Sequence, residues 1–274
     1  MRFALHGLLV RYSNVATDIA IASQTGYDCL ELHTDKLDRY LSAGFSGTDL
    51  KSVLETYGIG VNCIDIIGDV ETQVSEKKAR VIEKARALCE VAAEIGCDTI
   101  QLNGFCELED LSEQENIQLT AANIREICTI GRAYGVRFQY EGAAWTPIHT
   151  VSQCVRLVEE VAMENFGLVV DFWHFWASRG GDPEDIARLD KSIIYGVHVA
   201  DGFRPDIGKP WVSETELRGA LPGAGDVPIS EWLDAVRATG YKGPYSVEIL
   251  NDRLWEENLY TIAADGLSRM KGYF

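Results

Sequence analysis

Residues 136–171 read VRFQYEGAAWTPIHTVSQCVRLVEEVAMENFGLVVD. Two short β-rich runs, VRFQYE (136–141) and GLVVD (167–171), flank a segment that turns helical around TPIHTVSQ. Each run ends in an acid, Glu141 and Asp171. The pattern continues downstream, where IIYGVHV (193–199) carries His198 and YSVEIL (245–250) carries Glu248. One half-buried strand ending in a polar residue is ordinary. Four such ends, all bearing oxygen or imidazole donors, are hard to reconcile with solvated loop starts. If the strands are parallel neighbours in a closed barrel, their C-terminal ends converge on one axis. Glu141, Asp171, His198 and Glu248 could there hold a single divalent cation.

Reading outward, the same kind of run occurs upstream: RFALH (2–6), DCLELH (28–33), GVNCIDII (60–67) and DTIQLNG (98–104). Helical periods fill the gaps, as in 76–95, where Val81, Leu88, Val91, Ala92 and Ile95 can share a face. Glycines precede several strands (Gly26, Gly58 and Gly60, Gly96, Gly135, Gly240 and Gly243), as expected where a helix ends in a left-handed cap. Eight strand–helix repeats with near-continuous apolar strands predict a parallel sheet, and eight strands close. An open doubly wound sheet would carry a Gly-rich phosphate turn after the first strand, and HGLLVRYSN has none. The expectation is one (β/α)8 TIM barrel over residues 1–274, with its active site at the C-terminal strand ends.

Composition agrees. A chain of 274 residues suits one barrel, which typically takes about 250. A net charge of −17 without a basic strip argues against nucleic acid and acidic membranes as partners. The seven cysteines (29, 63, 89, 97, 106, 128, 154) form no CxxC pair and read as reduced thiols of a cytoplasmic protein. MRFALHGLLV is interrupted by His6 and Gly7 and lacks a small-residue cleavage site, so it reads as a strand rather than a signal peptide. No apolar run approaches the roughly 20 residues of a membrane span. A homo-oligomer stays open.

The mixed oxygen–nitrogen donor set suits Mn²⁺, Mg²⁺, Co²⁺ or Zn²⁺, whereas structural zinc would favour several cysteines. Glu141 and Glu248 are assigned a second task, carrying a proton on opposite sides of a substrate. His174, three residues past Asp171 and among Phe172, Trp173, Phe175 and Trp176, is placed as a donor to a substrate oxygen. Arg204 is placed on a substrate hydroxyl or carbonyl, and Asp201 as the acceptor that orients His198. Asn103 is taken as a further substrate contact. His6, Glu31, His33 and Asp65 are polar strand-end residues that could also supply contacts to the ligand, and none of the four is given a fixed role. Glu31 and His33 share a face, with only His33 near the mouth. His149 is read as a helix-start residue. The long connection from Asp201 to Val227, with Arg204, Lys209, Trp211, Arg218 and LPGAGDVP, is read as a lid.

The spacing of GLVVDFWHF, GVHVADGFR, the LPGAG turn and YSVE resembles the xylose isomerase-like TIM barrels, over nearly the whole chain and most closely their inosose isomerase branch. The resemblance implies a divalent metal on Glu141, Asp171, His198 and Glu248, and substrate contacts from His174 and Arg204. Ketose 3-epimerases of that group place a second glutamate shortly after the strand-five Glu, and EGAAWTPIHT has none. Related DNA-repair nucleases use extra histidines at strands three and four, where this chain has Asp65 and Asn103. The resemblance therefore implies metal-dependent isomerisation or epimerisation of a small keto-polyol or keto-sugar through an enediolate. A dehydratase acting on a keto-sugar, keto-inositol or dehydroshikimate-like compound is the alternative. A non-catalytic sugar-binding barrel is a second one.

Overall fold

The computed structural model describes residues 1–104, 111–205 and 213–274. Eight strands, β1 (Arg2–His6), β2 (Cys29–His33), β3 (Gly60–Ile67), β4 (Thr99–Asn103), β5 (Arg137–Glu141), β6 (Phe166–Asp171), β7 (Ile194–His198) and β8 (Pro244–Val247), are all parallel. They form one closed barrel in sequence order, β8 pairing with β1. Helices follow each strand. The expected runs match these strands to within a residue or two, except at the last. YSVEIL leaves the sheet after Val247, because the Leu250 amide is taken by the Arg218 carbonyl of the preceding loop.

Alternation sorts the side chains of each strand between two environments. Ile100 and Leu102 of β4 and Phe138 and Tyr140 of β5 turn outward into the apolar layer under the helices. Gln101, Asn103, Gln139 and Glu141 turn inward. The barrel interior is consequently polar, and its groups are satisfied by one another. Gln139 Nε2 donates to Gln101 Oε1 at 2.7 Å, and Ser246 Oγ to Glu31 Oε2 at 2.6 Å. Gly196 on β7 leaves the room that Gln139 fills, since a Cβ there would lie 2.8 Å from Gln139 Oε1.

Local signals set the helix ends. Ser112 with Glu115 and Thr150 with Gln153 form reciprocal capping boxes. Gly58 closes the helix Gly47–Tyr57 at φ 66°, a conformation that favours glycine, whereas Gly60 already belongs to β3. In the helix Ser75–Ile95 the buried stripe is Val81, Ala85, Leu88, Cys89, Ala92 and Ile95; Val91 lies at its edge, half-buried. Six cysteines are free and buried, and Cys106 lies outside the described residues. Among the described residues no helix is long and apolar enough to cross a membrane.

The loop after β1 forms part of the mouth and is fastened from beneath by a buried cation. Lys36 Nζ donates to the carbonyls of Gly7 (2.8 Å) and Val10 (2.9 Å) and to both oxygens of Asp18 (2.9 and 2.7 Å). Lys36 is 3 % and Asp18 0 % exposed, so neither charge has water as an alternative. Lys36→Met is expected to destabilise the fold by about 3–5 kcal/mol, because Asp18 stays buried without its cation. The double variant Lys36→Met/Asp18→Leu should recover a large part of that. Urea unfolding midpoints of the two variants check both statements.

Candidate functional site

The barrel brings together the four residues that the strand ends single out. Asp171 closes β6 and caps the helix Phe172–Ser178: its Oδ1 accepts from the His174 amide at 2.7 Å, leaving Oδ2 turned inward. His198 ends β7 in register with Asp171. Its Nδ1 lies 3.4 Å from Glu141 Oε1, 3.6 Å from Asp171 Oδ2 and 2.5 Å from Glu248 Oε2. One ligand atom from each of the four falls within 4.8 Å of every other, and all four residues are buried.

Two features of this cluster fit a metal ion. First, Glu141 Oε1 and His198 Nδ1 are buried and make no hydrogen bond of acceptable geometry, even though Nδ1 lies 2.5 Å from Glu248 Oε2. An acceptor oxygen and an imidazole nitrogen are thus crowded among carboxylates with their bonding capacity unused. Second, the outer contacts hold the donors in a ligating orientation. His198 Nε2 faces Glu31 Oε1 at 3.3 Å, and Glu31 is itself held by Ser246. A proton on Nε2 leaves the Nδ1 lone pair for a cation. Asn103 Nδ2 donates to Glu141 Oε2 at 2.9 Å and leaves Oε1 turned toward the others.

The positive charge that this acidic cluster holds is Arg218, 2 % exposed. Its Nη2 lies 2.5 Å from both Asp171 Oδ2 and Glu248 Oε2 and 3.8 Å from Glu141 Oε1. Its Nη1 donates to Glu214 Oε1 at 3.1 Å. Burial alone would raise the Asp171 pKa, but Arg218 and His174 bring it down to about 2. Burial likewise opposes charge on His198, and the Glu248 and Glu31 carboxylates outweigh it, holding its pKa well above the ordinary imidazole value. Arg218 reaches the mouth because its backbone is stitched in place. The Leu250 amide donates to the Arg218 carbonyl at 3.0 Å, and Asp201 and Ala220 form an antiparallel bridge.

Glu141, Glu248 and Arg218 of the cluster line a cavity of about 170 Å³ together with Arg11, His33, Asp65, Asn103, Trp145, His174 and Glu214, whereas Asp171 and His198 are not part of its wall. A neighbouring cavity of about 410 Å³ shares Leu8, Arg11 and His33 with it but contains none of the four donors, so the smaller one is the candidate site. Its volume lies below the roughly 300–1,000 Å³ of clefts for drug-sized ligands, which suits one small molecule.

Of the expected substrate contacts, His174 and Asn103 reach this cavity. His174 Nδ1 accepts from the Ala144 amide at 3.2 Å, so its Nε2 carries the proton; it lies 3.7 Å from Glu141 Oε1. Arg204 does not reach it. Its side chain is exposed, stacks 4.2 Å from the Trp176 ring centroid and donates to the Trp176 carbonyl at 3.1 Å. Asp201 does not meet His198 either. Its carboxylate accepts from the amides of Gly202, Gly223, Gly225 and Val227 and shapes the LPGAGDVP turn, while Glu31 takes the place beside His198. His149 precedes the helix Val151–Val161, its Nδ1 2.6 Å from the Thr146 carbonyl. Lys209 and Trp211 of the expected lid lie outside the described residues. Sequence reasoning missed Arg218, Glu214 and Glu31 as site residues. The one available signal was alternation along CLELH, which turns Glu31 into the barrel with His33.

The family profile described as Xylose isomerase-like TIM barrel matches residues 19–272. A 3-dehydroshikimate dehydratase of Pseudomonas aeruginosa is 28 % identical over 90 % of this chain, which spans 38 % of that longer protein. An inosose isomerase of Halalkalibacterium halodurans is 26 % identical, covering 89 % of this chain and 86 % of the relative. Among solved structures, the IOLI protein with a binding zinc atom superposes with a TM-score of 0.91 over 100 % of this chain and 98 % of its own, at 20 % identity, a likeness of fold.

Asp171→Ala is expected to abolish stoichiometric binding of a divalent cation, read by elemental analysis of the purified protein. Glu31→Gln, which touches only the far side of His198, should weaken metal affinity about 10–100-fold by calorimetric titration. Arg204→Ala should leave it unchanged.

Proposed function

The chain belongs to the xylose isomerase-like TIM barrel family, and on that premise we propose that it is a divalent-metal-dependent isomerase or epimerase of a small, inosose-like keto-polyol. The observation that carries this reading is the convergence of Glu141, Asp171, His198 and Glu248 on one another, with Glu141 and Glu248 also lining a cavity with room for one small molecule. Bound Mn²⁺, Mg²⁺, Co²⁺ or Zn²⁺ would supply Lewis-acid polarisation of a carbonyl and its neighbouring hydroxyl. Residues 1–274 act as one catalytic unit in this reading. The buried free thiols fit a reducing compartment, the cytoplasm.

A proton α to a ketone is too weakly acidic for a carboxylate to remove quickly unless the developing charge is stabilised. Arg218 and the Nε2–H of His174 are placed to stabilise negative charge on a substrate oxygen. Glu141 and Glu248 rise from the ends of β5 and β8, with two strands between them, and approach a substrate from different directions. One takes the proton and the other returns it, to the neighbouring carbon for isomerisation or to the other face for epimerisation. Asn103 steadies Glu141 for either task. Trp145, at the edge of the cavity and 40 % exposed, offers an aromatic face to a ring.

The similarity to a dehydratase, over 90 % of the chain, favours a second reading. The same proton abstraction, with a leaving hydroxyl on the adjacent carbon, expels water instead. Incubation with a keto-inositol and with 3-dehydroshikimate separates the two. Solvent deuterium entering the α carbon without a new conjugated-enone absorbance supports the isomerase; stoichiometric water loss supports the dehydratase. Tight binding with neither outcome would make the barrel a sugar-binding protein.

Glu141→Gln and Glu248→Gln are each expected to lower turnover about 100–10,000-fold while keeping far more of the bound metal, because the amide oxygen still coordinates. In a given reaction direction only one of the two should lose α-deuterium exchange entirely. Near-native turnover by both variants at saturating metal would rule out the proton-carrier roles.

A further inference from the structure

The half of the mouth formed by β1, β2 and β3 carries three polar side chains that the proton-transfer scheme does not use: His6, His33 and Asp65. All three are buried, at 0 %, 9 % and 2 % exposure. Two backbone amides set the tautomers of the histidines. Leu8 N donates to His6 Nδ1 at 3.2 Å, and Asp35 N to His33 Nδ1 at 3.3 Å. A neutral imidazole that accepts at Nδ1 carries its proton on Nε2. Both Nε2–H groups face the same atom: His6 Nε2 lies 3.5 Å from Asp65 Oδ2, and His33 Nε2 4.0 Å from it.

At these distances the contacts are electrostatic, and His6 Nε2 and Asp65 Oδ1 are both buried without a hydrogen-bond partner, in residues at the mouth, Asp65 itself lining the 170 Å³ cavity. A buried carboxylate without hydrogen bonds is costly, and on a residue that lines a cavity it points to a ligand contact. His6, His198 and Glu248 also bring ligand atoms within 4.8 Å of one another, but the Leu8 amide on His6 Nδ1 leaves the proton on its Nε2.

We propose that Asp65, whose carboxylate faces the Nε2 atoms of His6 and His33, determines specificity by hydrogen-bonding a hydroxyl group of the substrate on the β3 side of the mouth. This rests on the proposed polyol chemistry and sharpens it: the substrate carries a hydroxyl besides the oxygens at the reacting carbons. Burial and the carboxylates of Glu248, Glu141 and Glu31 raise the pKa of Asp65 well above the usual carboxylate value. A hydroxyl suits either protonation state, accepting from the acid and donating to the carboxylate.

The test compares metal-loaded wild type with Asp65→Leu, which removes the hydrogen bond at similar size, and Asp65→Asn, which keeps a donor and an acceptor. The probes are myo-inositol and 3-dehydroshikimate, with affinity read by calorimetry and metal content by elemental analysis. Asp65→Leu should weaken binding of the probe that wild type prefers at least about tenfold. Asp65→Asn should stay within about threefold of wild type, and metal content should be unchanged in both. On a substrate that is turned over, KM should rise more than kcat falls. Wild-type affinity in Asp65→Leu overturns the proposal, as do loss of metal from Asp65→Asn, which would make Asp65 a ligand, and failure of wild type to bind either probe. Binding that depends on Asp65 without turnover of a keto-inositol or of 3-dehydroshikimate would instead refute the catalytic reading and leave this one standing.

Discussion

The dominant constraint on this molecule is the negative charge that barrel closure concentrates on one axis. Glu31, Glu141, Asp171 and Glu248 are each at most 4 % exposed, and each is drawn inward by the strand that carries it. Carboxylates this close cannot all stay ionised in a low-dielectric interior without positive charge among them. Arg218 supplies it, together with whichever of a proton or a metal ion occupies Nδ1 of His198. The connection between β7 and β8 makes structural sense as the device that delivers Arg218. Asp201 ties down the glycine-rich turn, the Asp201–Ala220 bridge folds the loop back, and the Leu250 amide anchors the Arg218 carbonyl.

The same constraint explains why the inside of the barrel is polar while its outside is apolar. Most of the hydrophobic core lies between strands and helices, and the axis is filled by groups that bond to one another, such as Gln101 with Gln139 and Glu31 with Ser246. A network of this kind is stable only when its members are nearly all paired. Several of the buried atoms left without a hydrogen bond gather at the mouth, Glu141 Oε1, His198 Nδ1, Asp65 Oδ1, Asn103 Oδ1 and His6 Nε2 among them, while others, such as Asn116 Oδ1 and Thr120 Oγ1, lie elsewhere. Histidine chemistry divides along the same line. His6, His33 and His174 have Nδ1 occupied by backbone amides and present N–H groups, whereas His198 has its Nε2 on Glu31 and presents a lone pair.

Relatives named as isomerases and as dehydratases both resemble this chain, at 24–28 % identity. In the proposed chemistry the two readings diverge only after the first proton has moved, and the substituent on the carbon next to the reacting centre decides between them. Fold likeness does not separate the two readings, because the barrel is common to both.

Sequence by itself determined the eight strand–helix units, their parallel closure and the four donors at the ends of β5 to β8. Those features are local: a period-two run, a capping residue and the final side chain of a strand can be read in short windows. Tertiary structure decided everything that depends on where a loop returns. Arg204 lies six residues past His198 yet turns outward onto Trp176, while Arg218, twenty residues past it, enters the cluster. Sequence distance carries no information on that choice, because it is made by backbone hydrogen bonds between the loop and the end of β8. Glu31 and Asp65 stayed without a role for a related reason. An inward-facing acid on an early strand becomes meaningful only when the barrel closes and sets His198 against one and His6 and His33 against the other.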